Sequence, residues 1–212
     1  MIREVSYRHR TFWLHDETEH TEWVLGQLDK RKWEEDTFDT IDRFVDGGVF
    51  VDVGAWIGLF TIYAAPFASH IYALEPDPVA RDMLERNIAI NQLDNVTVLP
   101  KALWSHDGNI RMFANTGLGD SMTGPRRKGD PITFPCLTPE TLRGLVGENV
   151  DLVKVDTEGS EKEILPGIIE WPAPLHVSIH RHDIDGAELS FGTRPAEILP
   201  GGDHVHYTVL VL

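Results

Sequence analysis

Five short apolar runs limit what this chain can fold into: VFVDV (49–53), HIYALE (70–75), VTVL (96–99), VDLVKVD (150–156) and LHVSIH (175–180). Near-continuous apolar runs of this length are strands buried on both faces. Between two of them, DPVARDMLERNIAINQ places Asp77 as an N-cap and Pro78 at the first helical position, with Ala80, Leu84 and Ile88 on one face. Strands alternating with such helices predict an α/β fold, a doubly wound and mostly parallel sheet with right-handed crossovers. In that architecture the site lies at the carboxyl ends of the strands.

The stretch VFVDVGAWIGLFTIYAAPFA is about as long as a membrane span. Asp52, Gly54, Gly58 and Pro66 break it into a strand, a glycine turn and an apolar helix. A soluble core is the expectation. Of 212 residues, 19 are Lys or Arg and 34 are Asp or Glu, a formal net charge of −15. That charge repels polyphosphate backbones and anionic membrane surfaces, which argues against nucleic acid and membrane as partners. Cys136 is the only cysteine, so no internal disulfide forms. With the charged start MIREVSYRHR, it predicts a cytoplasmic setting.

Two regions break the alternation. Residues 1–46 hold three of the six tryptophans and a charged helical pattern around WVLGQLDKRKWEEDTFDTIDRF, predicting an N-terminal helical cap on a main domain of residues 47–212. Residues 114–131 are rich in Gly, Pro and charge without periodicity, predicting a lid in which Ser121 touches a substrate.

The turn D-V-G-A-W-I-G follows a strand and opens a helix, so Gly54 and Gly58 allow backbone N–H groups close to a ligand. Glu75 ends the next strand, where such folds place an acid that accepts from a ribose diol. Together these predict a nucleoside. A dinucleotide motif needs glycine where Trp56 stands, which opposes a nicotinamide-dependent oxidoreductase. Asp52, a lone carboxylate in an apolar strand, is expected to hold a ligand carrying an ammonium group, and Lys154 to pair with a neighbouring acid.

The segments VFVDVGAWIGLFTIYAA, YALEPDPVARDMLERNIAINQLDNVTVLPKALWSHDG and VDLVKVDTEGSEKEILPG resemble the FkbM-type family of S-adenosylmethionine-dependent methyltransferases, from about Trp33 to His180. The last resembles the family signature Asp-Leu-(Leu/Val)-Lys-(Ile/Val)-Asp-x-Glu-Gly-x-Glu. Family members often carry Asn where Trp56 stands, and many have a glutamate near the end of the fifth strand where this chain reads HVSIHRHD.

The resemblance implies a Rossmann-like class I methyltransferase sheet with S-adenosyl-L-methionine as cofactor. It implies Asp52, Gly54, Ala55 and Gly58 around the methionine moiety, Glu75 at the ribose, and Lys101, Ala102 and Leu103 at the adenine. Asp156 and Glu158 would lie beside the transferable methyl. The implied reaction is O-methylation of a hydroxyl on a small-molecule or glycan acceptor, and a hydroxyl needs a base. Asp156, Glu158 and His180 are the candidates. His180 and His182, with Asp156 nearby in the fold, suggest a metal site, but no further clear ligand completes it, so none is expected. The alternative to an enzyme is a module that binds the cofactor without catalysis.

Overall fold

The computed structural model describes residues 1–16, 19–30, 34–113, 118–119, 124, 130–180, 191–199 and 206–212, with His20, His180, His206 and Tyr207 described by backbone alone. The chain begins with a hairpin, β1 (Ile2–Tyr7) and β2 (Arg10–His15), followed by α1 (Glu19–Lys30) and α2 (Glu35–Phe44). Then come β3 (Val49–Val53), α3 (Leu59–Ala64), β4 (His70–Leu74), α4 (Pro78–Ile90) and β5 (Val96–Leu99). A small insertion holds β6 (Ala102–Leu103), β7 (Gly108–Phe113) and β8 (Pro131–Leu137). The chain returns through α5 (Pro139–Val146), β9 (Val150–Val155), α6 (Glu161–Ile168), β10 (Leu175–His180), β11 (Ala196–Leu199) and β12 (His206–Val211).

The main sheet has the order β11-β12-β10-β9-β3-β4-β5. Its five strands from β10 to β5 are parallel, and β12 runs antiparallel to both of its neighbours. The five parallel strands are the five apolar runs. Helix α4 starts as expected, with Asp77 accepting from the N–H groups of Val79 (2.8 Å) and Ala80 (3.4 Å) and Pro78 at the first turn.

Side chains alternate across the sheet. Phe50, Ile71 and Leu152 face one side, packed with the hairpin, α1, α2 and α3. Val51, Val53, Val153, Val155 and Val177 face the other, against α5 and α6. The long apolar stretch is divided as its breakers require, into β3, a turn and α3. Among the described residues no helix is long and apolar enough to cross a membrane.

The N-terminal region differs from the expected helical cap, because its first fifteen residues form a hairpin. The cause is a period-two pattern, with Val5, Tyr7, Phe12 and Leu14 buried between exposed residues. Arg8 turns the hairpin with φ 54 and pairs with Glu35 (2.6 Å), Asp39 (2.8 Å) and Asp42 (3.0 Å) of α2. Arg10 stacks on Tyr63 and Phe67 at 3.8 and 3.9 Å. These contacts join the hairpin to α2 and α3, and the apolar core runs through from Val5 to Leu152.

The small sheet β6-β8-β7 is also additional to expectation. Of residues 114–131, only Leu118, Gly119, Gly124, Asp130 and Pro131 fall among the described residues, so the proposed lid and Ser121 lie outside them.

Candidate active site

At the carboxyl ends of β3, β4 and β9 lies a cleft partly open to solvent. Its floor begins at Gly54, which has φ +80, and a Cβ there would sit 1.8 Å from the carbonyl oxygen of Asp156. Only glycine lets the β3 turn pass this close to the end of β9. The Gly54 and Ala55 N–H groups both donate to the Leu74 carbonyl at 3.0 Å, which fixes the turn against β4.

Glu75 follows β4 and is buried at 7% exposure. Its Oε2 accepts from the Trp56 N–H at 2.8 Å and its Oε1 from the Asp77 N–H at 2.9 Å. Burial pushes its carboxyl up to about 7; the two N–H donors offset part of this, and the Asp77 and Asp52 charges add to it. Each oxygen keeps a lone pair in a cleft-lining position.

Two cleft-lining residues other than glycine have left-handed backbones, Trp56 at φ 48 and Glu158 at φ 52. Such conformations cost about 1 kcal/mol or more each and concentrate at functional sites. The Trp56 indole N–H donates to the Gly119 carbonyl (3.0 Å), while the Gly119 N–H donates to Asp77 Oδ2 (2.7 Å). The indole is therefore turned to the cleft rim and held there. Asn, the family's frequent residue at this place, tolerates that backbone better than Trp.

Asp52 has a different partner from the expected ligand ammonium. It is fully buried, with Oδ1 3.2 Å from Lys154 Nζ and Oδ2 accepting from the Thr61 hydroxyl at 2.7 Å. It does not line the cleft. Lys154, also buried, reaches the Gly54 carbonyl at 3.3 Å and Asp156 Oδ2 at 3.8 Å, which agrees with its expected ion pair. Burial alone would lower the Lys154 pKa, but Asp52, then Asp156 and Glu34, raise it above its ordinary value. The carboxylate that looked poised for a ligand instead neutralises this lysine.

The cleft brings together Gly54, Glu75, Lys101, Ala102, Leu103, Asp156 and Glu158 from the residues singled out in the sequence. Ala55 packs against Ala73 and Leu84, and Gly58, with φ +89, lies against Leu84, so both shape the turn from behind. The strand β10 ends at His180, whose side chain lies outside the described residues, as does Ser121. Thr157, Ser160, Pro76 and Met112 line the cleft without having been anticipated. Thr157 and Ser160 stand inside the DTEGSE motif, which could have marked them. Met112 comes from the small sheet, and nothing local in the sequence announced it.

The chain matches the Methyltransferase FkbM domain over residues 52–193. It belongs to the FkbM methyltransferase family. The methyltransferase sdnD of Sordaria araneosa is 32% identical to it, in an alignment covering 76% of this chain and 62% of that protein. The chain thus spans less than two thirds of that relative's length. The methyltransferase FkbM of Methylobacillus flagellatus shares the fold with a TM-score of 0.55 at 18% identity, covering 80% of this chain and 44% of that one. A Streptococcus mutans protein solved in complex with SAH has a TM-score of 0.53 at 11% identity, covering 84% and 95% of the two chains. The FkbM chain and these neighbours share the class I methyltransferase sheet.

Proposed function

We propose that this FkbM chain transfers a methyl group from S-adenosyl-L-methionine to a hydroxyl of a small-molecule or glycan acceptor. The observation that carries the cofactor is Glu75: a buried carboxyl, fixed by two backbone donors, with one lone pair left on each oxygen. A ribose diol supplies two donors for those positions. The glycine turn supports the reading too, because Gly54 lets the end of β3 lie against the backbone of Asp156 at the floor of the cleft. Ala102, Leu103 and Met112 offer an apolar wall suited to adenine. The neighbour bound to SAH supports the same reading.

The cofactor supplies a methyl group already activated on a sulfonium, so the protein's work is mostly positioning. In this reading Asp156 and Glu158, which line the cleft, take the proton of an acceptor hydroxyl. Lys154 Nζ lies 3.8 Å behind the Asp156 carboxylate. The excess of acid over base in the chain disfavours nucleic acid as acceptor.

Calorimetric titration with S-adenosylhomocysteine and, separately, NAD tests the proposal. Glu75→Ala should weaken S-adenosylhomocysteine by about 1 to 3 kcal/mol through loss of the ribose hydrogen bonds. Tighter binding of NAD, or an unchanged affinity in the variant, would overturn it.

A further inference from the structure

The Glu75 carboxylate belongs to a ring of hydrogen bonds that closes on itself. Its Oε2 accepts from the Trp56 N–H at 2.8 Å, and the Trp56 indole N–H donates to the Gly119 carbonyl at 3.0 Å. The Gly119 N–H donates to Asp77 Oδ2 at 2.7 Å, and the Asp77 N–H returns to Glu75 Oε1 at 2.9 Å. The ring joins the turn after β3, the end of β4 and residue 119, which stands 42 residues beyond Asp77.

Two members of the ring are anchored independently of it. Asp77 is fixed to α4, where its Oδ1 accepts from the Val79 and Ala80 N–H groups. Glu75 continues β4, its own N–H donating to the Leu99 carbonyl at 3.1 Å. Trp56 is the member under strain, because φ 48 is a backbone that a bulky residue seldom adopts. The peptide plane that carries its N–H turns with that angle, so relaxation at Trp56 would swing the N–H away from Glu75. The indole bond to Gly119 opposes the relaxation.

Residue 119 can take this place only as glycine. It has φ +90, and a Cβ there would meet Val79 Cγ1 of α4 at 2.8 Å. Gly119 therefore lies directly on the start of α4, with its N–H on Asp77 and its carbonyl on the indole. Each Glu75 oxygen is aimed by its own backbone donor, one held by α4 and the other by Trp56. A carboxylate fixed at both oxygens keeps one lone pair on each in a set direction, which suits the two donors of a diol. Fixing that direction before the ligand arrives removes an ordering cost from binding.

We propose that Trp56 and Gly119 are positioning residues, which act through the ring on Glu75 and make the chain select a cofactor with an intact ribose diol. This rests on the function proposed above and deepens it at the cofactor site. The indole itself points to Gly119, so its part in cofactor selection is indirect. Cutting the ring leaves Glu75 its charge and its burial but releases the direction of Oε2. The penalty therefore falls on the ribose hydroxyls and spares the rest of the ligand.

The test is calorimetric titration of the full chain with S-adenosylhomocysteine and with its analogue carrying a 2′,3′-dideoxyribose. Trp56→Phe keeps a ring and removes the indole N–H; it should weaken S-adenosylhomocysteine roughly threefold to tenfold and leave the dideoxy analogue within about twofold. Gly119→Ala cuts the same ring from its far side and should give the same split. The double variant should lose no more than the larger single loss, because one broken bond already opens the ring. Trp56→Asn also lacks the indole, but Asn tolerates the left-handed backbone, so it should recover most of the loss seen with Phe. The positioning role is refuted if Trp56→Phe binds S-adenosylhomocysteine like the parent, if both ligands weaken equally, if the two losses add, or if Asn binds as weakly as Phe. A parent chain that binds no S-adenosylhomocysteine, or binds the two ligands alike, would instead sink the cofactor reading on which the ring's role rests.

Discussion

Removing the Lys154 ammonium alone, as Lys154→Met, leaves Asp52 in the centre of the sheet with Thr61 as its one remaining side-chain partner among the described residues. Both groups of the pair are buried, at 1% and 0% exposure, so solvent cannot screen the loss. Breaking such a pair from one side destabilises by about 3 to 5 kcal/mol. For a chain of this length, each kcal/mol shifts Tm by about 2 to 4 °C, giving a fall of roughly 6 to 20 °C.

The double variant Lys154→Met/Asp52→Asn removes both charges with little change in shape. It should recover most of that loss, because a neutral amide beside Thr61 leaves no bare ion. Urea and thermal melts followed by circular dichroism of the parent, the two single variants Lys154→Met and Asp52→Asn, and the double variant give the comparison. If the double variant is as unstable as the two single losses added together, Asp52 and Lys154 are not acting as a pair. The reasoning fails equally if Lys154→Met melts like the parent.

Two further predictions concern protons. The Glu75 carboxyl is raised to about 7 from its ordinary value of 4.5, so below pH 7 it holds a proton that ribose donors must displace. Affinity for S-adenosylhomocysteine should therefore rise with pH up to about 7, by as much as about tenfold per unit, with protons released on binding. Calorimetry in buffers of different ionisation enthalpy counts those protons, and Glu75→Gln should flatten the profile. His176 is held neutral, its pKa lowered to about 3 by burial and then by Lys154. The unfolded chain takes up this proton below about pH 6.5 and the folded chain does not, so stability should fall on acidification by about 2 kcal/mol at pH 5. Urea melts at pH 7 and pH 5 measure the slope, and it should shrink in His176→Gln; an unchanged slope would assign it to other groups.

The parallel sheet was legible because each of its five strands is an apolar run set apart by a helix or turn signal, and because Asp77 and Pro78 mark the start of α4 in a purely local way. The hairpin was not, since its alternation is spread over charged residues such as Arg3, Glu4, Arg8 and Arg10, and the Trp-rich helical pattern that follows dominated the reading. At the site, Gly54 and Glu75 were legible from their spacing after a strand. Asp52 was legible as unusual but not in its partner, because Lys154 stands about a hundred residues away and only strand pairing brings β9 beside β3. Met112 was out of reach for the same reason: it gains its place from an element distant in sequence.

The most direct test of the cofactor site is a crystal structure of the chain with S-adenosylhomocysteine. The ribose hydroxyls should lie within hydrogen-bond distance of the Glu75 carboxylate, the adenine against Ala102, Leu103 and Met112, and the sulfur over Gly54 facing Asp156. A nucleoside bound elsewhere, or a ribose that leaves both Glu75 oxygens untouched, would contradict the proposed site.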